Sequence, residues 1–358
     1  MTISPMTVKR GVDIRRRRVC AAAGALPLLS WLPKLPEASA ANAVRIRLGT
    51  LAPRGSSYHR ALQEMGERWR RVQGPDSEFT VFTDGTQGGE ADMVRRMRVG
   101  QLNAALLSAV GLVQIERTAS ALQFMPMVYR DWKELDHVRG KIAPAAEARM
   151  LERGFVPLFW ADAGWVRFFS RRPALVPDDF RRMKMFVWAG DPEQVDMMKE
   201  MGFQPVAIEV TDILPALRTG LIDAVPATPF FALAGQFAGP APYMLDVKWV
   251  PIAGACVITR AAWDALSEPA RAELKAAAQQ AGAQIRDRAR SEDLESIEAL
   301  KRRGLNVSPL TREAEVEWRR LAEQIIYPRI RDAKVPAPLF DQTMRLLAEY
   351  RSAAPVEK

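Results

Sequence analysis

The chain has 358 residues, enough for two lobes with separate cores, and its 48% hydrophobic and 26% charged residues are those of a globular protein. Two cysteines exclude a disulfide scaffold. The net charge of +9 does not indicate a nucleic-acid binder: residues 1–40 hold seven Lys/Arg and two Asp/Glu, which leaves the rest at +4, spread along many elements.

The N-terminus reads as an export signal. Lys9, Arg10 and Arg15 to Arg18 form a basic start, Val19 to Leu32 is apolar and small, and Ala38-Ser39-Ala40 suits cleavage after Ala40. Fourteen apolar residues are too few to cross about 30 Å of hydrocarbon, and no later run is long enough. The arginines before the apolar stretch hint at the twin-arginine route. Cys20 does not fit a lipid-anchor motif, because Arg17-Arg18-Val19 precede it. Its removal with the signal would leave Cys256 alone, so no disulfide is expected. The mature protein is expected to be soluble outside the cytoplasm, in the periplasm.

Val44 to Thr50 alternates apolar and polar residues and predicts a strand. A turn at Pro53–Ser57, a helix over 58–72, a strand at Phe79–Phe82, a helix over 91–99 closed by Gly100, and a strand at Asn103–Ser108 follow. This β-α-β-α-β order predicts an α/β lobe with a largely parallel sheet. A second region repeats the pattern. Strands are expected at Phe155–Trp160, Val166–Ser170, Lys184–Trp188 and Gln204–Ile208, with a helix over 192–201. Thr211-Asp212 would cap a helix that stops at Gly220, before a strand at Ala224-Val225. Val247–Thr259 reads as one or two strands. Residues 262–303 read as long helix, with Pro269 in a first turn, and 312–350 as helix again. The expected fold is α/β, with two lobes and a long helix lying across both. Lobe I would comprise 44–165 and about 250–285, and lobe II 166–249 and about 305–350. Facing strand ends of two such lobes make a cleft that closes by hinge motion.

Enzyme chemistry finds little support. His59 and His137 are the only histidines, no His/Cys/Asp cluster has metal-ligand spacing, and there is no nucleophile elbow or Walker loop. No cofactor or metal is expected. Gly85-Thr86-Gln87-Gly88-Gly89 before a helix is as readily a plain turn as an anion site.

Several blocks, in order along the chain, carry a resemblance. They are Gly89-Glu90 through Arg98-Val99-Gly100-Gln101-Leu102-Asn103, Phe124 to Tyr129, Lys184-Met185-Phe186-Val187, Gly202-Phe203-Gln204-Pro205-Val206, Asp212 to Ala224, and Trp263-Asp264-Ala265-Leu266. Together they resemble the solute-binding proteins of TRAP transporters, the DctP type. The resemblance implies a periplasmic receptor that closes on a small organic solute, often a carboxylate, and delivers it to the membrane subunits of a TRAP permease. A protein of the same fold that presents a closed surface to a partner is the alternative.

The resemblance also implies an arginine on the Lys184–Trp188 strand, whose planar fork matches a carboxylate. This sequence has Phe186 there. A second family arginine, on the preceding strand, has a counterpart in Arg167. Trp160, Trp165, Phe186, Trp188, Phe230 and Phe231 lie near strand ends expected to face the cleft. The expected site is Arg167, Phe186, Trp188, Trp160, Ser108, Phe230 and Thr211, and the aromatic rings point to a solute more apolar than the small dicarboxylates.

Overall fold

The computed structural model describes residues 44–353, so the expected signal segment, residues 1–40, lies outside the described residues. The chain opens with β1 (Arg45–Thr50), α1 (Ser57–Gln73), β2 (Glu78–Phe82), α2 (Glu90–Arg98), β3 (Ala104–Ser108) and α3 (Ala109–Leu112). A 3₁₀ turn at Arg117–Leu122 leads to α4 (Trp132–Glu152) and β4 (Phe155–Trp165). Next come β5 (Arg167–Ser170), α5 (Pro177–Arg181), β6 (Lys184–Trp188), α6 (Pro192–Glu200) and β7 (Gln204–Ile208). They are followed by α7 (Ile213–Thr219), β8 (Ala224–Ala227), α8 (Pro229–Ala234) and β9 (Tyr243–Asp246). The chain returns through β10 (Pro251–Thr259), α9 (Arg260–Asp264) and α10 (Glu268–Lys301). It ends with β11 (Asn306–Pro309), α11 (Arg312–Arg320), a π-helical stretch at Leu321–Ile326, α12 (Tyr327–Ile330) and α13 (Ala337–Ala353).

Two sheets define two lobes. The first has the order β2-β1-β3-β10-β4, and the second β11-β9-β5-β8-β6-β7. Each keeps a parallel nucleus: β2-β1-β3 in one, β8-β6-β7 in the other. Neither is parallel throughout. β10 runs antiparallel to β3 and β4, and β5 runs antiparallel to β8 and β9. These exceptions are the strands by which the chain leaves one lobe and re-enters it, so they arrive from the opposite direction.

The two crossings lie side by side. Val166 N–H donates to the Val250 carbonyl at 2.8 Å, and Trp249 N–H donates to the Val166 carbonyl at 3.1 Å. Segments 165–167 and 247–250 therefore form a narrow paired hinge. It explains why the apolar run Val247–Thr259 is only partly strand: its first four residues are the connector. The long helix α10 packs on α1 and β4 of the first lobe and on α8 of the second, and so braces both. Pro269 lies in its first turn, with Ser267 as the N-cap accepting from Ala270 N–H.

The C-terminal segment divides differently from the expectation. α13 packs on α4 of the first lobe, where Arg351 pairs with the buried Glu134 at 2.7 Å. α11 instead packs Trp318 against Phe168 of β5, Phe180 of α5 and Trp249 of the hinge. Residues 305–350 thus do not belong wholly to the second lobe. They cover the back of the hinge from both sides. The helix α4, which carries Pro144 in its interior, is not legible as one amphipathic run, yet it buries Leu135, Val138, Ile142, Ala146 and Met150 at helical spacing.

Candidate ligand-binding site

A cavity of about 300 Å³ lies between the two sheets. The first lobe contributes the ends of β1 and β3, through Thr50 and Leu106 to Ser108, together with Tyr58 of α1 and Glu90 of α2. The second contributes Phe186 and Trp188 of β6, Pro226 to Thr228 at the end of β8, and Phe230 and Phe231 of α8. Residues at carboxyl ends of strands meet here because parallel β-α-β connections place all those ends on one edge of a sheet.

The walls are mainly apolar. Phe186 and Trp188 are two apart on β6 and so share one face, while Val187 points into the core. Tyr58 of the first lobe meets Phe230 of the second, with ring centroids 5.4 Å apart. Its hydroxyl donates to the Asp162 carbonyl at 3.0 Å, and burial pushes its pKa well above the usual phenol value.

The polar groups at the cavity are largely occupied. Glu90 is buried and accepts from Ser108 N–H at 2.8 Å, from the Ser108 hydroxyl at 2.7 Å and from Gly111 N–H at 2.8 Å. Burial raises its pKa, and these three hydrogen bonds only partly oppose the rise. Asp162 is paired with Arg139 and Arg290 behind the wall. Gln123 accepts from Ala253 N–H at 3.3 Å. No arginine or lysine is among the described residues that line the cavity.

Of the seven residues expected at the site, Ser108, Phe186, Trp188 and Phe230 line this cavity. Three do not. Trp160 lies on the α4 side of β4, where its indole N–H donates to Glu147 at 2.7 Å. β4 runs on to Trp165, so Trp160 is mid-strand and not at a strand end. Arg167 is turned into the hinge, with its side chain 3% exposed. It pairs with Asp246 at 2.6 Å and with Asp293 of α10 at 3.1 Å. Thr211 sits on the rim, its methyl facing the Gly85 turn of the first lobe, while its neighbours Val210 and Ile213 line the cavity. Trp165, also expected near the cleft, packs on Trp132 with centroids 5.0 Å apart.

Tyr58, Thr50, Gln123 and Thr228 were not expected at the site. Thr50 and Thr228 follow the rule that strand ends supply binding residues, since they end β1 and follow β8. Nothing local marks Tyr58 or Gln123. Among the described residues no cluster of His, Cys, Asp and Glu is arranged to hold a metal. No described helix is long and apolar enough to cross a membrane.

At the rim the lobes touch. Trp188 Nε1–H donates to Glu209 at 3.0 Å, and both stand over Gly89, the N-cap residue just before α2. A Cβ at Gly89 would lie 3.1 Å from Glu209 Oε2 and 3.3 Å from Trp188 Nε1. The absence of a side chain there lets the second lobe close on the N-terminus of α2.

Comparison with known proteins agrees with this architecture. A solute-binding protein of Roseobacter denitrificans is 25% identical over 189 residues, 52% of this chain and 57% of the relative. A TRAP periplasmic solute-binding protein from Xanthobacter autotrophicus, solved with bound β-D-galacturonate, superposes with a TM-score of 0.75 at 19% identity, covering 85% of this chain and 99% of the other. One from Sulfurospirillum deleyianum, solved with bound succinate, superposes with a TM-score of 0.76 at 16% identity and the same coverage. The model of bacterial extracellular solute-binding protein family 7, DctP, matches residues 48–330, and this chain belongs to that family.

Proposed function

We propose that this protein is the periplasmic capture component of a TRAP-type transporter. It binds an organic solute between its lobes, closes on it through the paired hinge, and delivers it to the membrane subunits. It carries out no reaction. The solute is more apolar than small dicarboxylates, and its apolar part lies against Phe186, Trp188 and Phe230. Thr50 and Thr228 offer hydroxyls to its polar part, with Ser108, whose hydroxyl is bonded to Glu90, beside them.

One observation carries the reading of the solute: among the described residues, the cavity is walled by aromatic rings and lined by no arginine or lysine. A dicarboxylate drawn into it would lose water without gaining a cation, and would meet the buried Glu90 carboxyl. An ion desolvated without a partner costs several kcal/mol, so a small dianion is disfavoured. Arg167 does not offset this cost, because Asp246 and Asp293 already occupy its guanidinium.

The test is to extract solute from protein purified without refolding and identify it by mass spectrometry. Thermal-shift screening should accompany it, covering succinate, uronic acids and neutral aromatic solutes. A ligand at 100 times its dissociation constant adds about 2.7 kcal/mol to stability, a shift that is readily seen. A neutral or largely apolar solute is expected. Tight succinate binding would overturn the reading of the solute, and the absence of any ligand would overturn the receptor reading.

A further inference from the structure

A second cavity, of about 210 Å³, adjoins the first. Phe186, Trp188, Val110, Gln123 and Pro226 line both, so these residues form a shared wall between the two spaces. The inner end of the second cavity is the aromatic group of Phe168, Trp249 and Trp318 at the back of the hinge. Its outer wall is α6 and the residue after it, which present Met197, Met198 and Met201.

Helix α6 is unusual in this fold. None of its nine residues is fully buried, although its apolar side faces inward. A surface helix ordinarily buries one stripe against a core. Here that stripe borders the cavity. The helix is held at both ends by ion pairs to the C-terminal segment: Lys334 with Asp191 and, at 3.0 Å, with Glu193, and Arg329 with Glu200 at 3.7 Å. The Arg329–Glu200 pair is exposed and tethers weakly, whereas Lys334 and Asp191 are largely buried and border the cavity at the start of the helix. Methionine side chains are unbranched and polarizable, and adapt to apolar partners of differing shape. The methionine part of the wall can therefore adapt to a tail, while the aromatic end is closely packed.

We propose that the second cavity is a subsite for the apolar tail of an elongated, amphiphilic solute. The hydrogen-bonding head lies in the main cavity, and an alkyl or aryl tail passes Phe186 and Trp188 to lie under the methionines of α6. This rests on the reading of the main cavity as a solute site and narrows the solute class. The main cavity by itself is at the lower limit of the roughly 300–1,000 Å³ typical of small-molecule sites, and the second space enlarges it without any rearrangement of the core.

The test uses 4-alkylbenzyl alcohols, from methyl to hexyl, titrated into the purified protein by calorimetry. The proposal expects affinity to rise about fourfold per methylene as far as hexyl, the increment for burying each group. Met198→Trp fills the second cavity from a position that is not fully buried. It should leave the methyl compound within about twofold of wild type and weaken the hexyl compound by about tenfold or more. Met197→Trp, from the same wall, serves if the first variant does not fold. The proposal is overturned if affinity levels off at ethyl, or if the tryptophan weakens every member equally, and in both cases the main cavity remains a solute site. If no member of the series binds, the apolar reading of the main cavity fails, and the subsite fails with it.

Discussion

Arg167, at the start of β5, forms an ion pair of 3.1 Å with Asp293, in the C-terminal third of the helix that braces both lobes. Asp246, just before the second crossing segment, takes the other edge of the guanidinium at 2.6 Å. One buried arginine thus joins the first crossing, the second crossing and the long helix. Burial raises the pKa of Asp293, with the Arg167 charge opposing. Arg167→Met would leave Asp293 buried without its partner. Removing one member of a buried pair costs about 3–5 kcal/mol. Urea unfolding of the variant should show a loss of that size, and an unchanged midpoint would mean that the pair does not hold the hinge.

Phe186 stands where the family resemblance implies an arginine, and the structure places it in the cavity wall. Phe186→Ala removes apolar contact from both cavities that this side chain lines. The solute extracted from the purified protein should bind the variant less tightly by about 1–3 kcal/mol, roughly the worth of burying a phenylalanine side chain. Phe186→Arg is the complementary change. It should give measurable affinity for a carboxylate such as succinate, since it restores the cation that the cavity lacks. Calorimetry measures both effects. An alanine variant with wild-type affinity would remove Phe186 from the site.

Much of this was legible in the chain because it is local. The strands at Lys184–Trp188 and Gln204–Ile208 show their period directly, and Gly220 ends α7 in the left-handed conformation that glycine favours. Phe186 and Trp188 were legible as cavity-lining residues because they fall toward the end of a strand beside a parallel neighbour. The misplacements arise from long-range structure. Trp160 looks like a strand end only because the pattern breaks at Ala161–Gly164, where the strand in fact continues alongside β10. Arg167 reads as a free cation until the fold brings up Asp293, 126 positions later. β9 and β11 are four residues each, too short for a period to show, and pair with each other only across the intervening long helix.

Gly89 offers a test of closure separate from the cavity wall. Its backbone is extended, at φ −68°, so a side chain there is not strained in itself. The obstacle is the other lobe, since a larger residue would push against Trp188 and Glu209. Gly89→Leu should hold the lobes apart. Solute affinity should fall by about tenfold or more, an energy of about 1.4 kcal/mol, while the unfolding midpoint without solute stays within about 0.5 kcal/mol of wild type. Small-angle scattering should show a larger radius of gyration with solute present than for the wild type. Equal closure of the two proteins would mean that the rim contact at Gly89 is incidental.

Glu90 carries the prediction for pH. Its carboxyl sits above the usual glutamate range because burial disfavours the charge, and the bonds from Ser108 and Gly111 do not fully compensate. The native state therefore holds this proton more tightly than the unfolded chain does. The contribution of the group to stability is complete below the ordinary glutamate pKa and is lost as pH rises through the native value. Glu90→Gln abolishes that dependence. It also has one acceptor oxygen where three donors converge, so an amide N–H must face an N–H of the backbone or the Ser108 hydroxyl. Leaving one such buried donor unmatched costs about 1–3 kcal/mol. The variant should thus be less stable than wild type at about pH 7.5, and the gap should widen as the pH falls toward about 5, where the wild type gains stability through Glu90 and the variant does not. Urea unfolding at the two pH values measures it. A gap that stays constant would mean that Glu90 titrates alike in the folded and unfolded chain, and that its burial is relieved by water entering the cavity.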